Sequence, residues 1–278
     1  MQAALLAMAA TADRAAQPTN SSAFNRTLAL HLTYFSSAAY CPLPSIADWS
    51  CKPCLLADPS FAASPINSSS YGMQAYVGYG SGDIVISFRG SNNLRNWIEN
   101  LQFAKRSAYP GCKGCEVHDG FFKSWLSVRD GVIKEVTRLY RLHPNARVFL
   151  TGHSLGAALA ALCAAELDSS QLGISITAVY TFGQPRVGNA AFVDFYKQRS
   201  HVSWRATHWR DPVPHLPFEW MGFKHLSTEV FYDSENTGFK VCDGTGEDKS
   251  CSDQFRWFAE VSDHLHYLDP PVGEMGTC

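Results

Sequence analysis

A short apolar strand that runs directly into a G-x-S-x-G motif is the feature that most constrains this chain. Residues 148–151 read VFLT, GHSLG follows at 152–156, and an Ala-rich stretch at 157–167 has the composition of a helix packed closely on a sheet. A corner this sharp admits only small residues beside the serine, so the two glycines leave room and the turn presents the Ser154 hydroxyl. Free N–H groups of the following helix would face negative charge that develops there. The pattern predicts a nucleophilic serine, although an ordinary Gly-rich turn between a strand and a helix is the alternative.

Length and composition restrict the class of protein. The 278 residues fit one large α/β domain or two small ones, and a hydrophobic content of 46% is enough for a sizeable core. The formal net charge of −2 and the lack of a basic run argue against a nucleic-acid partner. No apolar stretch reaches the ~20 residues that span a bilayer, and no metal or other cofactor is indicated. We expect a monomer without a transmembrane segment.

Nine cysteines are many for a cytosolic enzyme. Two C-x-x-C units are compatible with zinc, but neither has histidines nearby at zinc-finger spacing. Disulfides are favoured, and they indicate an oxidising compartment. Cys163 lies within the helix after the serine and is expected to be a buried free thiol. The other eight are Cys51 near Cys54, Cys112 near Cys115, Cys242 near Cys251, and Cys41 and Cys278 toward the two ends of the chain.

Three N-glycosylation sequons, at Asn20, Asn25 and Asn67, agree with an extracellular location. The segment 1–18 resembles a weak or truncated signal sequence, since it is apolar and contains a cleavage-like ATA, but no Lys or Arg precedes the apolar run. No linker divides the rest of the chain. We therefore interpret 19–278 as the single catalytic domain of a secreted protein.

Strands alternate with helices through the middle of the chain, which predicts an α/β-hydrolase fold with a mostly parallel central sheet flanked by helices. The Pro- and Ser-rich stretch 41–67 is expected to be a stapled loop. Helices are expected from Ser21 or Ser22 to Ala39, at 120–142 and at 190–199. Strands are expected at 73–79, 83–88, 147–151, 175–182 and 202–208, with two late strands, 226–232 and 238–241, that are candidates for antiparallel pairing.

A serine hydroxyl barely ionises at neutral pH, so Ser154 needs an imidazole base and a carboxylate that orients the base. Asp211 is the favoured acid, because a strand ends just before it and two prolines follow, which places it on a tight loop at the sheet edge. Asp263 is a weaker candidate. His264 and His266 both fit a base that folds back over this edge, and spacing alone does not choose between them.

Taken in order, these motifs resemble the class 3 lipases of fungi, a family that also includes filamentous-fungal feruloyl esterases. The resemblance covers most of the chain, and so many ordered matches are specific. The matching segments are VISFRGS at 85–91, NWIENL at 96–101, CKGC at 112–115, HDGF at 118–121, TGHSLG at 151–156, YTFGQPRVGN at 180–189, DPVP at 211–214, HLHY at 264–267 and GTC at 276–278.

The resemblance implies Ser154 as nucleophile and Asp211 as acid. It implies His264 as base, because the family's His-Leu-x-Tyr pattern falls there. It further implies an oxyanion hole formed by Ser91 and the N–H of Leu155. The implied disulfides are Cys41–Cys278, Cys51–Cys54 and Cys112–Cys115, while a Cys242–Cys251 pair is more typical of the esterase branch.

A short amphipathic helix is predicted directly after Ser91. Leu94, Trp97, Ile98 and Leu101 recur at i, i+3, i+4 and i+7 and so share one face. A surface helix packed on the core is the plainer interpretation. In the family this segment is the lid, and its apolar face favours a lipid substrate.

The expected function is a secreted serine esterase that hydrolyses acylglycerols during transient contact with a lipid–water interface. A soluble feruloyl-type carboxylesterase is the first alternative, and the Cys242 and Cys251 pair favours it. A phospholipase A1 is a second alternative. A catalytically inactive hydrolase fold used for binding is a third, which the presence of all three catalytic residue types disfavours.

Overall fold

The computed structural model describes residues 23–170, 172–199, 201–255, 260–268 and 274–278. The expected signal-like segment 1–18 and the sequon at Asn20 lie outside these ranges. The other two sequon asparagines, Asn25 and Asn67, are exposed. No helix in the described ranges is both long enough and apolar enough to cross a bilayer.

An eight-stranded sheet forms the centre of the molecule, with the strand order β1-β2-β3-β6-β7-β8-β9-β10. A separate two-stranded sheet pairs β4 with β5. The strands are β1 (Ala62–Ser68), β2 (Met73–Gly80), β3 (Asp83–Phe88), β4 (Lys105–Ser107), β5 (Glu116–His118), β6 (Arg147–His153), β7 (Ala178–Phe182), β8 (Val202–His208), β9 (Glu229–Tyr232) and β10 (Phe239–Val241).

The middle of the sheet is parallel, from β3 through β6, β7 and β8 to β9. The outer strands β1, β2 and β10 pair antiparallel with their neighbours. The expectation of a mostly parallel central sheet is confirmed. The two late strands, β9 and β10, pair antiparallel with each other, as expected. Since β9 pairs parallel with β8, it extends the central block, and the carboxyl ends of five parallel strands meet at one edge of the sheet.

Helices cover both faces of the sheet. They are α1 (Arg26–Ala38), α2 (Leu43–Ala47), α3 (Lys52–Ala57), α4 (Leu94–Glu99), α5 (Asp119–Leu142), α6 (Leu155–Ser169) and α7 (Ala190–Lys197). Helix α1 begins later than Ser21 or Ser22, because the Asn25 side chain caps it by accepting from the Leu28 N–H at 3.0 Å.

Strand alternation divides the apolar side chains between two cores. On β3, Ile84, Ile86 and Phe88 belong to the core that α5, α6 and α7 cover, whereas Val85 belongs to the core under α1. Helix α6 is buried along almost its whole length, which explains why its sequence is apolar on every face. The described segments therefore form the three-layer arrangement that the alternating pattern predicts.

The stretch 41–67 differs from its expectation as a stapled loop. It forms α2, α3 and most of β1. The prolines suggested a loop, but Pro44 and Pro53 lie in the first turns of α2 and α3, where a proline is tolerated because the N–H it lacks would have no partner within the helix.

Eight cysteines pair as disulfides, so their thiolates are not available to zinc. The pairs are Cys41–Cys278, Cys51–Cys54, Cys112–Cys115 and Cys242–Cys251. These are the pairs that the sequence led us to expect, and Cys163 is a buried free thiol. The Cys41–Cys278 bond spans 237 residues and ties the C-terminal segment to the chain that follows α1.

Candidate active site

The corner between β6 and α6 has the geometry that its glycines predict. Ser154 has φ 60° and ψ −128°, a strained conformation for a residue with a side chain. A Cβ atom on Gly152 would lie 2.4 Å from the Gly156 carbonyl oxygen, and one on Gly156 would lie 2.1 Å from the Phe88 carbonyl oxygen. The Ser154 N–H donates to the Phe182 carbonyl at 2.9 Å, which fixes the corner on β7. The sequence therefore needs glycine at both positions for steric reasons.

Asp211 and His264 form a buried pair on the loops beyond the carboxyl ends of the strands. His264 Nδ1 lies 2.8 Å from Asp211 Oδ2, and both side chains are about 1% exposed. The Val213 N–H donates to the other carboxylate oxygen at 2.8 Å, and the Tyr267 hydroxyl donates to Oδ2. These contacts hold the imidazole in one orientation.

The same contacts keep Asp211 ionised. Burial by itself raises the pKa of a carboxyl group, but the His264 ring and the hydrogen bonds from His264, Tyr267 and Val213 outweigh it, so the Asp211 pKa lies below its ordinary value. An ionised carboxylate can only accept, so the Nδ1–H of His264 donates a hydrogen bond to Asp211 Oδ2, and this selects the Nδ1–H tautomer of the neutral ring. A ring in this tautomer can accept a proton at Nε2.

The structure distinguishes between the two candidate acids, Asp211 and Asp263, and between the two candidate bases, His264 and His266. His266 is only partly buried, unlike His264, and its Nδ1 donates to the Ser262 carbonyl at 2.8 Å. Asp263 accepts from the Arg210 N–H at 3.2 Å and is not the partner of His264 Nδ1. Geometry thus favours Asp211 over Asp263 and His264 over His266.

Ser154 and His264 line the same cavity, which has a volume of about 280 Å³. Ser154 Oγ and His264 Nε2 are both buried, and neither has a hydrogen-bond partner within the described parts of the chain. Two unpaired polar atoms that face one small cavity are suited to hydrogen-bonding a reacting group. Three segments border this cavity: the segment after β3, the 3₁₀ turn Val261–Leu265 and the C-terminal residues 275–277.

His153 connects this site to Tyr40, and the sequence analysis identified neither residue. His153 Nε2 lies 2.7 Å from the His264 carbonyl oxygen and must donate to it, so Nδ1 accepts from the Tyr40 hydroxyl at 2.8 Å. Burial, together with the neighbouring His264 ring, lowers the His153 pKa to about 3 and keeps the His153 ring neutral at neutral pH. His153 therefore holds the backbone of His264 from the residue next to Ser154.

Gly183 is a second residue that the sequence analysis missed. It has φ 59°, and a Cβ atom there would lie 2.7 Å from His264 Cε1 and 3.0 Å from Asp211 Oδ2. The backbone after β7 thus packs directly against the histidine–aspartate pair. Only its place in the YTFGQPRVGN segment marked this glycine in the sequence.

We expect Gly183→Ala to lower kcat on a soluble ester by about 100-fold, because a displacement of roughly 1 Å at a reacting group can cost that much. Gly173→Ala is the matched control. Gly173 also has a positive φ, of 68°, but no atom lies within 4 Å of its added Cβ. Steady-state kinetics of the two variants would check this, and similar losses in both would assign the effect to backbone strain alone.

Ser91 and Leu155 lie where two cavities meet. Both line a second cavity of about 440 Å³, and Ser91 also lines the cavity of Ser154. Leu155 is the first residue of α6, so its N–H belongs to the unpaired set at the helix N-terminus. The second cavity is bordered on its apolar side by Met73, Trp97, Leu101, Phe121 and Leu155.

Helix α4 lies over these cavities. The Asn93 side chain caps it by accepting from the Asn96 N–H at 3.0 Å, and the helix ends at Glu99, so Leu101 falls just beyond it. The Trp97 ring stacks on Phe121 with centroids 6.1 Å apart, and Leu94 lines the cavity of Ser154. All four residues of the expected apolar face, including Ile98, are partly buried. Ser154 itself is only 2% exposed.

Comparison with known proteins agrees with this geometry. The family model described as lipase (class 3) matches residues 85–221. A lipase from Rhizomucor miehei is 36% identical over 252 residues, which cover 87% of this chain and 69% of the relative. The secreted mono- and diacylglycerol lipase A of Penicillium cyclopium is 39% identical over 168 residues, 58% of this chain and 53% of the relative.

Solved structures extend the likeness to the fold. One is a triacylglycerol lipase described as having a serine protease triad as its catalytic centre. It aligns with a TM-score of 0.82 at 33% identity and covers 91% of this chain and 96% of that one. The sheet and the buried site define the α/β-hydrolase class. The chain belongs to the class 3 lipase family and is a carboxylic ester hydrolase.

Proposed function

We propose that this chain is a secreted lipase that hydrolyses acylglycerols at a lipid–water interface. The position of α4 is the observation that carries the proposal. Leu94 lines the cavity of Ser154, and Trp97 lines the adjoining cavity. An apolar segment over a buried serine fits a substrate that presents apolar surface of its own, because such a surface can replace the contacts that the segment gives up.

In the proposed reaction, Ser154 Oγ attacks the ester carbonyl carbon while His264 Nε2 takes the hydroxyl proton. The N–H groups of Ser91 and Leu155 stabilise the oxyanion, and losing one such donor typically costs ~10²–10³ in rate. His264 then gives its proton to the departing alcohol, which leaves an acyl-enzyme. Water attacks this ester, His264 takes the water proton and returns it to Ser154, and the carboxylic acid is released.

The adjoining cavity supplies a place for the acyl chain. Its apolar border begins at Leu155, next to the proposed nucleophile, and continues to Phe121 and Trp97. Burial of methylene groups against these side chains would contribute about 0.8 kcal/mol for each group. A long acyl chain therefore gains more from this site than a short one.

Secretion is supported by three features. The described cysteines form four disulfides, two sequon asparagines are exposed, and the Penicillium relative is named as secreted. Disulfides persist where thiols are not kept reduced.

Hydrolysis rates on trioleoylglycerol emulsion and on methyl ferulate, compared at equal enzyme concentration, test the proposal. We expect the emulsion to be hydrolysed at least tenfold faster per active site, with a jump in rate once substrate exceeds its solubility. Ser154→Ala is the control for both substrates. Faster turnover of methyl ferulate would make the chain a feruloyl-type esterase, and release of fatty acid mainly from phosphatidylcholine would make it a phospholipase.

Trp97→Ala is expected to lower the rate on emulsified trioleoylglycerol by about tenfold, the effect of losing roughly 1.4 kcal/mol of apolar contact. The loss on a dissolved short ester should be less than about threefold by the same arithmetic, because that substrate contacts less of α4. Trp97→Phe keeps an aromatic ring over Phe121 and serves as the matched control. Equal losses of Trp97→Ala on both substrates would contradict an interfacial role for α4.

A further inference from the structure

Three aromatic side chains form a surface patch that the proposed reaction does not use. Trp220 is 77% exposed and Phe218 is 42% exposed. Their rings stack with centroids 5.9 Å apart and an interplanar angle of 12°, and Phe103 lies 6.2 Å from Phe218. We call Phe103, Phe218 and Trp220 the aromatic patch. A lone exposed apolar side chain is ordinary, but adjoining aromatic rings often mark an interaction surface.

The backbone beneath the patch is held rigidly. The guanidinium of Arg186 donates to the His215 and Pro217 carbonyls at 2.8 and 3.2 Å, and it is itself fixed by a two-contact ion pair with Glu247. Lys105 Nζ donates to the Met221 carbonyl at 3.1 Å. A well-anchored turn that presents its aromatic rings to solvent is preorganised for binding, since little conformational entropy remains to be lost.

The surroundings of the patch define its partner. Phe103 lies four residues after the end of α4, so at most about 14 Å of chain separates the patch from the segment that covers the active site. The cations beside it are paired, Lys224 with Glu219 and Lys105 with Glu116. Among the described residues this turn carries no free basic side chain, so the patch has little electrostatic preference for an anionic surface. Tryptophan and phenylalanine favour the boundary between water and lipid.

We propose that the aromatic patch inserts into neutral or zwitterionic lipid surfaces and adsorbs the enzyme beside α4. This inference deepens the proposed function and rests on it. Adsorption through the patch places α4 at the lipid surface without requiring α4 to have moved first. The patch and α4 then have separate roles: the patch binds the surface, and α4 controls access to Ser154.

The test is lipid adsorption of the full chain carrying Ser154→Ala, which separates binding from hydrolysis. Adsorption to phosphatidylcholine vesicles and to triolein droplets is measured by co-sedimentation and flotation. Adding Phe218→Ala and Trp220→Ala should weaken partitioning by about tenfold or more. Both side chains are exposed, so the melting temperature should change little, and near-UV circular dichroism checks the fold.

Leu142→Ala is the matched control. Leu142 is 61% exposed and ends α5 at the opposite edge of the sheet, just before β6 begins, so its removal should leave adsorption unchanged. Unchanged adsorption of the double variant, or an equal loss in Leu142→Ala, would overturn the proposal. A parent chain that sediments as a dimer, and becomes a monomer when the patch is removed, would assign the patch to a second copy instead.

Failure of this inference is distinct from failure of the proposed function. If the chain adsorbs through the patch but does not hydrolyse trioleoylglycerol, the patch is confirmed as a lipid-binding surface and the proposed lipase function is wrong. A chain that hydrolyses the emulsion yet adsorbs equally well without the patch is a lipase that binds the interface elsewhere.

Discussion

Replacing His264 by glutamine is expected to lower kcat on a soluble ester by about 10⁶-fold, the size of loss seen when a base of this kind is removed. His264 is the buried imidazole that contacts Asp211 and lines the cavity of Ser154. Glutamine preserves much of the volume and one hydrogen bond, but it cannot accept the serine proton. Single-turnover kinetics with a chromogenic ester would measure the loss in the acylation step directly.

His266→Gln provides the matched control for that result. His266 is the partly buried histidine two residues later; its Nδ1 donates to the Ser262 carbonyl, and it is not among the residues that line the cavity of Ser154. Its kcat should remain within about twofold of the parent, as is usual for a surface substitution. A large loss in His266→Gln together with a small one in His264→Gln would reverse the assignment of the base.

Asp211→Asn is expected to lower kcat by about 10⁴-fold with little change in KM, the effect of losing the carboxylate that sets the tautomer of a catalytic histidine. The amide keeps the shape of the side chain. It removes the negative charge beside His264, and its NH₂ group cannot accept the Nδ1 proton. Steady-state kcat and KM on a soluble ester, determined separately, check this prediction, because losing control of the tautomer slows the chemical step and leaves substrate binding unchanged.

Asp263→Asn tests the rival acid under the same conditions. Asp263 accepts a hydrogen bond from the Arg210 N–H, and the amide oxygen of asparagine can accept it equally well. Activity should therefore change by less than about twofold. Comparable losses in the two variants would mean that no single carboxylate orients His264.

The corner of Ser154 could be predicted because its causes are local. A strand, two glycines and a helix-forming run are adjacent in the chain, and the Gly156 carbonyl that excludes a Cβ atom on Gly152 lies only four residues further on. The parallel block of the sheet was predictable for the same reason, because the spacing of apolar residues along each segment shows whether it is a strand or a helix, and alternating strands and helices indicate a parallel sheet.

Contacts between segments that are distant in the chain could not be predicted from the sequence pattern. Tyr40 reaches His153 across 113 positions, and Tyr267 reaches Asp211 across 56. A tyrosine carries no periodic signal that would show which buried group its hydroxyl contacts. The choice between His264 and His266 likewise depends on how the final turn folds over the sheet edge, and two residues so close in sequence look alike until it does.

The bond between Cys41 and Cys278 has a practical consequence for making this enzyme. Tyr40 and residues 275–277 border the cavity of Ser154 from opposite ends of the chain, and the neighbouring half-cystines clamp those two borders together. In a reducing cytoplasm the central sheet and its helices could still fold, but the Cys41–Cys278 disulfide that holds the two borders of the cavity together would not form. An oxidising production host is therefore a condition for a properly shaped pocket, and soluble yield alone is a poor measure of active material.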